Sequence, residues 1–282
     1  MKKRSAEFQS SSILPRSKKS LGQNFLADER VIARIIDAFA PQPDETVVEI
    51  GPGRGALTSH LIERAGRVVA VEFDRDLVPL LKEKFGARDN FSLVHADALA
   101  LDFCEAISPA SRARVVANLP YYISTAILQK LIEERVCLTE MVLMLQREVV
   151  ERITARPASG ERGYLSVLVE AYSEAETLFD VTPAVFRPQP KVWSTVVRLR
   201  LREKLKIEVE DEKLLWSIVS AGFAQRRKTI LNNLRHAPEA LSAAIGRAGG
   251  PGVVLEAASI EASRRAETLT LEEWARLSRA IQ

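Results

Sequence analysis

Short apolar runs alternate with amphipathic stretches through the first two thirds of the chain. Val31, Ile32, Ile35, Ile36 and Phe39 recur at helical spacing, with Asp28 placed to cap, and predict a helix over 28–39 that ends at Pro41 and Pro43. Thr46-Val47-Val48-Glu49-Ile50 is a β-rich run that stops at glycine. Further strands are predicted over 67–72, 91–95, 114–117 and 140–145, with helices over 57–64, 76–85 and 126–134 between them. Strands that are apolar throughout and alternate with helices indicate a parallel sheet covered on both faces.

The pattern then changes. Residues 164–172 read as helix, and 175–181 and 192–201 read as two strands joined by a Pro-rich loop. With no helix between them, they are expected to form an antiparallel pair at one edge. From Asp211 onward the periodicity is helical: Leu214, Leu215, Ile218 and Val219, then Ile230, Leu231 and Leu234, then Leu241 and Ile245, and a last helix over 271–281. Gly249-Gly250-Pro251-Gly252 reads as a loop. The expected organisation is a flexible basic segment (1–20), an α/β domain (21–203) and a small all-α C-terminal domain (204–282), with no internal repeat.

Charge matters through its distribution. The net charge is only +3, yet residues 1–30 carry seven Lys/Arg against three acids, and residues 187–206 carry seven against one. Local basic patches of this kind point to a polyanion partner; either one alone also suits a solvated surface. Cys104 and Cys137 form no CxxC pair, so no disulfide is expected and a reducing compartment fits. His60, His95 and His236 lack metal-ligand spacing, and no metal is expected. The Lys2-Lys3-Arg4 start lacks the apolar stretch of a secretory signal, and no run approaches the ~20 residues of a membrane span. A soluble cytoplasmic protein, monomeric, is the expectation.

Candidate chemistry gathers at the strand ends. Gly51-Pro52-Gly53-Arg54-Gly55 follows the first long strand and lets the backbone turn tightly and approach a ligand. Glu72 closes the next strand, 21 positions after Gly51, where a carboxylate can bind a ribose diol. Asp97, at the third strand's end, can meet an adenine amino group. Together they place a nucleoside outside the sheet and favour S-adenosylmethionine. A nicotinamide cofactor is the alternative, but the motif is G-x-G-x-G rather than G-x-G-x-x-G.

Asn118-Leu119-Pro120-Tyr121 closes the fourth strand. An amide oxygen and nearby backbone carbonyls can accept hydrogen bonds from an exocyclic amine, and a Tyr can stack on a flat ring. Taken alone, the stretch equally describes a strand end, a Pro turn and a core aromatic.

Jointly, the motifs resemble those of the ribosomal RNA adenine N6-dimethyltransferases of the KsgA type. The matching segments are Gly22-Gln23-Asn24-Phe25-Leu26, Glu49 through Thr58, Val71-Glu72-Phe73-Asp74, Asp97-Ala98-Leu99 and Asn118 through Ser124, then Gln146 through Val149, Phe186 through Val192 and Phe223 through Thr229. The resemblance implies a Rossmann-like seven-stranded methyltransferase sheet with a small helical C-terminal domain. It also implies dimethylation of two adjacent adenosines in a hairpin loop near the 3′ end of small-subunit rRNA. By the same resemblance, Asn24, Leu26, Gly51, Gly53, Glu72, Phe73, Asp97, Ala98 and Asn118 contact S-adenosylmethionine. Asn118 and the Leu119 and Pro120 carbonyls hold the target N6, while Tyr121 and Phe186 sandwich the base. Arg187, Lys191, Arg226, Arg227 and Lys228, with Lys18, Lys19 and Arg235, are the candidate RNA contacts. Two positions depart from the pattern: Trp193 stands where a small acidic or polar residue is expected, and Gln189 interrupts a run of prolines. A large-subunit rRNA methylase, a DNA adenine methylase and a ribosome-assembly factor with secondary methylation are the competing functions.

Overall fold

The computed structural model describes residues 15, 17, 18 and 21–281. Most of the proposed basic N-terminal segment, including Lys2, Lys3, Arg4 and Lys19, lies outside the described residues. Five parallel strands form most of a seven-stranded sheet: β2 (Thr46–Ile50), β3 (Arg67–Glu72), β4 (Phe91–His95), β5 (Ala113–Asn118) and β6 (Leu138–Gln146). Two antiparallel strands complete it, β7 (Ser173–Val181) and β9 (Ser194–Leu201), in the order β4-β3-β2-β5-β6-β9-β7. The expected antiparallel pair is therefore present, with β7 as the edge.

Residues along one strand alternate between two cores. Val48, Val115, Met141 and Val197 face the larger core, and Val47, Val116, Val142 and Val196 face the smaller. The smaller is closed by α1 (Glu29–Phe39) and α2 (Thr58–Arg64). Asp28 caps α1 by accepting from the Arg30 and Val31 amides. On the other face lie α4 (Phe103–Ala106), α5 (Ser124–Glu133), α6 (Arg147–Ile153) and α7 (Tyr164–Tyr172), while α3 (Val78–Phe85) leads to the outer strand β4.

A miniature ribbon pairs β1 (Phe25–Leu26) with β8 (Phe186–Arg187). It was not visible in the pattern, since two residues carry no periodicity.

The larger core continues without a break into the helical C-terminal region. This comprises α8 (Glu212–Gly222), α9 (Ile230–Arg235), α10 (Glu239–Arg247), α11 (Pro251–Ala257) and α12 (Leu271–Arg279). Trp274, fully buried, packs against Gly222, where a Cβ would fall 2.5 Å from the indole. Tyr172 ties the two regions by donating to Glu212 (2.6 Å) and accepting from the Trp216 indole (3.0 Å).

Two expectations are corrected. The Gly249–Gly252 stretch is not wholly loop: Gly249 and Gly250 take positive φ, and Pro251, which needs no amide partner at a helix start, opens α11. Cys104 and Cys137 are joined in a disulfide, with Cα atoms 5.5 Å apart. The packing of α4 against the entry to β6 closes a gap of 33 residues that spacing alone did not reveal, so cysteine usage no longer argues for a reducing compartment. No helix among the described residues is long and apolar enough to cross a membrane.

Candidate active site

The chain leaves β2 for β3 and β4 on one side, then returns to β5 and β6 on the other. That reversal opens a crevice beyond the strand ends, where open α/β sheets bind ligands. A cavity of about 260 Å³ lies there. Ile50, Val71 and Ala96 line it at the strand ends, beside Gly51, Gly53, Glu72, Phe73, Asp97, Ala98, Asn118, Leu119, Pro120 and Tyr121. Leu21 to Phe25 form one wall.

Gly51 has φ +68°, and a Cβ there would meet nothing within 4 Å. The backbone thus presents open space to a ligand, in a conformation that disfavours other residues. Glu72 is buried beside it. Its carboxylate accepts from the Gly53 amide (3.1 Å) and the Asp74 amide (2.8 Å). Burial raises its pKa, while these amide bonds pull it down. The glycine loop and the acidic strand end therefore hold one another. Asp97 lies two residues past β4 and uses one oxygen to cap the Leu99 amide (2.9 Å). Phe73 (56 % exposed) and Leu99 (38 %) add apolar wall suited to a flat ring.

Asn118 is the last residue of β5, opposite Met144 of β6. Its Nδ2 donates to the Asn24 carbonyl (3.1 Å). A carbonyl can only accept, so this contact fixes which end of the amide is nitrogen. Oδ1 accepts no hydrogen bond among the described residues. The Leu119 carbonyl accepts no hydrogen bond among the described residues, whereas that of Pro120 takes the Ile123 amide at 3.3 Å. Tyr121 is positioned by a 2.7 Å hydrogen bond between its hydroxyl and Ser194 Oγ. Burial raises its pKa, so the phenol stays protonated.

Two named residues are placed elsewhere. Leu26 and Phe186 are buried in the smaller core and do not line the cavity. They are register partners in the β1–β8 ribbon, and cross-strand partners share a face. Turning both inward leaves Phe25 on the cavity side. The stacking role for Phe186 and the cofactor contact for Leu26 are thus not met by their side chains here.

The N-terminal wall is tied down by side-chain contacts to the loop after β3. Gln23 donates to Asp74 (2.7 Å), and Lys18 pairs with Asp74 (2.5 Å) and Asp76 (2.6 Å). Lys18, a candidate RNA contact, is thereby engaged by two carboxylates. Behind the glycine loop Glu49 is sealed, accepting from the Thr58 hydroxyl (2.6 Å). Burial pushes its pKa up to about 8 against that hydrogen bond, with Glu72 adding repulsion.

Six of the candidate RNA cations are exposed. Arg187 ends β8, Lys191 lies between β8 and β9, Arg226, Arg227 and Lys228 lie in the turn from α8 to α9, and Arg235 at the end of α9. Arg226 also donates to the Gly160 carbonyl.

The family model described as ribosomal RNA adenine dimethylase matches residues 15–277. The chain belongs to the ribosomal RNA adenine dimethylases. Among curated members, the ribosomal RNA small subunit methyltransferase A of Geobacillus sp. (strain WCH70) is 46 % identical over 94 % of this chain and 91 % of its own. That of Alkaliphilus metalliredigens (strain QYMF) is 42 % identical over 94 % and 92 %. The solved 23S rRNA methyltransferase ErmE aligns with a TM-score of 0.66 at 28 % identity, covering 92 % of this chain and 99 % of that one. A dimethyladenosine transferase from Plasmodium falciparum shares the fold at TM-score 0.74 and 23 % identity, over 90 % and 95 %. As in other ribosomal RNA adenine dimethylases, the methyl donor is S-adenosylmethionine. The cavity suits it: Gly51 leaves room, Glu72 and Asp97 offer carboxylate oxygens, and Phe73 and Leu99 offer apolar surface.

Proposed function

We propose that this dimethylase modifies N6 of two adjacent adenosines in the 3′-terminal hairpin loop of small-subunit rRNA. The observation that carries the reading is the Asn118 amide, pinned through its nitrogen by the Asn24 carbonyl, its oxygen accepting no hydrogen bond among the described residues. Support for the small subunit comes from the names borne by relatives more than 40 % identical across nearly the whole chain. A ribosomal RNA partner supports a cytoplasmic setting for the enzyme.

Adenine N6 is a weak nucleophile because its lone pair is delocalised into the ring. Asn118 Oδ1 and the Leu119 carbonyl would accept its two N–H groups. That geometry favours a pyramidal nitrogen and stabilises the positive charge that grows during attack, by dipoles already in place. When bound, S-adenosylmethionine supplies an electrophilic methyl on a sulfonium. Glu72 would hold the ribose hydroxyls and Asp97 the adenine amine. Tyr121, braced by Ser194, would stack on the target base once it leaves the loop, where unstacking is least expensive. No side-chain base is required, since a methylated ammonium releases its proton to water. Arg187, Lys191, Arg226, Arg227 and Lys228 would meet RNA phosphates, with residues 204–282 as the RNA-binding region.

The test is methyl transfer from labelled S-adenosylmethionine to undermethylated small subunits, large subunits and duplex DNA, with nucleoside analysis of the products. Dimethyladenosine confined to small-subunit rRNA is the expected result. Label in large-subunit rRNA or DNA would overturn the partner, and no transfer would overturn the activity.

A further inference from the structure

Phe186 and Ser194 are both fully buried, yet of the residues between them only Pro190 is partly covered; the other six are exposed. This loop carries Arg187 and Lys191, neither of which makes an ion pair among the described residues. It also carries Val192 (40 % exposed) and Trp193 (46 %). The other two tryptophans behave as core residues: Trp274 is fully buried, and Trp216 is half-buried between Tyr164 and Tyr172. The Trp193 indole has no aromatic neighbour and no hydrogen-bond partner among the described residues. Its backbone, by contrast, is held, since its carbonyl accepts from the Arg147 amide at 3.0 Å.

Its location follows from the sheet. Ser194 pairs with Gln146, two residues beyond Met144, which pairs with Asn118. Ser194 also holds the Tyr121 hydroxyl at 2.7 Å. Trp193 therefore stands one residue step, ~3.8 Å between Cα atoms, from the brace of the ring proposed to stack on the target. An exposed indole on a held backbone, just after Lys191 and Arg187, the latter donating only to the Ala184 and Phe186 carbonyls, has the make-up of a single-strand nucleic-acid platform, where aromatic faces stack bases and cations track phosphates.

We propose that Trp193 stacks the nucleobase adjoining the target adenosine, so that the strand is gripped at two successive bases. This rests on the reading that a flipped adenosine enters the cavity beside Asn118. Trp193 would thereby act on substrate affinity rather than on the methyl-transfer step.

The experiment uses the full chain and a synthetic RNA hairpin with two adjacent adenosines in its loop. Trp193→Ala should raise KM for RNA roughly 5- to 150-fold, the range that base–aromatic stacking supplies, with kcat at saturating RNA within about 3-fold. Affinity for S-adenosylmethionine should be unchanged. Trp193→Phe should recover most of the RNA affinity. RNA should also quench the wild-type tryptophan emission, and that quenching should vanish in Trp193→Phe although the RNA still binds. A wild-type enzyme that methylates the hairpin while Trp193→Ala keeps the same KM, or that binds RNA with no Trp193-dependent quenching, would overturn the platform alone. A wild-type enzyme that binds S-adenosylmethionine but never methylates RNA would overturn the functional reading and the platform together.

Discussion

Replacing Glu49 with Gln should change how stability depends on pH. Glu49 is completely enclosed, and burial holds its folded pKa at about 8 against 4.5 for the free side chain. Below pH 4.5 the carboxyl is protonated in both states and contributes no difference. Between 4.5 and about 8 the unfolded chain releases the proton while the folded protein retains it. Each pH step across that window therefore removes ~1.4 kcal/mol of stability. The loss reaches about 3 kcal/mol at pH 7 and about 5 kcal/mol above pH 8, then levels off. Gln has the same shape, can still accept from Thr58, and cannot ionise. Urea denaturation of both proteins from pH 4.5 to 9 gives the difference in unfolding free energy directly. That difference should grow in favour of Glu49→Gln by about 3–5 kcal/mol across the window, whatever its starting value. Parallel profiles would show that Glu49 titrates normally and that its burial in this fold has been misjudged.

Other outcomes follow from the site. Asn118→Ala should lower kcat by ~10²-fold or more, the scale of losing one preorganised polar group, with S-adenosylmethionine affinity little altered; equal losses in a transfer assay and in calorimetry would refute the assigned role. Glu72→Ala should weaken cofactor binding by roughly 10- to 100-fold, as expected for a hydrogen bond to a charged group, and an unchanged calorimetric affinity would remove the ribose contact. Gly55→Ala should destabilise by about 2 kcal/mol, because φ is +86° there and the new Cβ would lie 2.4 Å from the Phe85 ring; an unaltered melting temperature would mean the ring moves aside freely.

Most strands could be read from the sequence because burial on both faces makes them uniformly apolar. Val47-Val48 and Val115-Val116 each feed both cores, and no polar surface interrupts them. Glycines at a strand end, and a carboxylate at the next, announced the cavity because a parallel sheet gathers its strand ends on one side. The orientation of Leu26 and Phe186 was not legible. It depends on a two-residue ribbon whose strands lie far apart in the chain, and short pairings leave no periodic trace. The cysteines failed for the same reason, since proximity came from helix-on-sheet packing. Start signals for α11 were present in Gly250-Pro251, but glycine and proline mark turns as readily as helix starts. The tether of Lys18 and Gln23 to Asp74 joins a segment without pattern to a loop, so only coordinates reveal it.

The β1–β8 ribbon also sets a schedule for synthesis. Leu26 is paired with Phe186, so 160 residues must be added before its partner exists. At ~5–20 residues per second that is roughly 8–30 s. Until then the Gln23-Asn24-Phe25 wall lacks its anchoring strand, and the Asn24 carbonyl lacks firm support beneath Asn118. A nascent chain can thus complete β2 through β6 and still be catalytically unfinished. The site matures late in translation, when Phe186-Arg187 emerges and the oldest part of the chain finds its place.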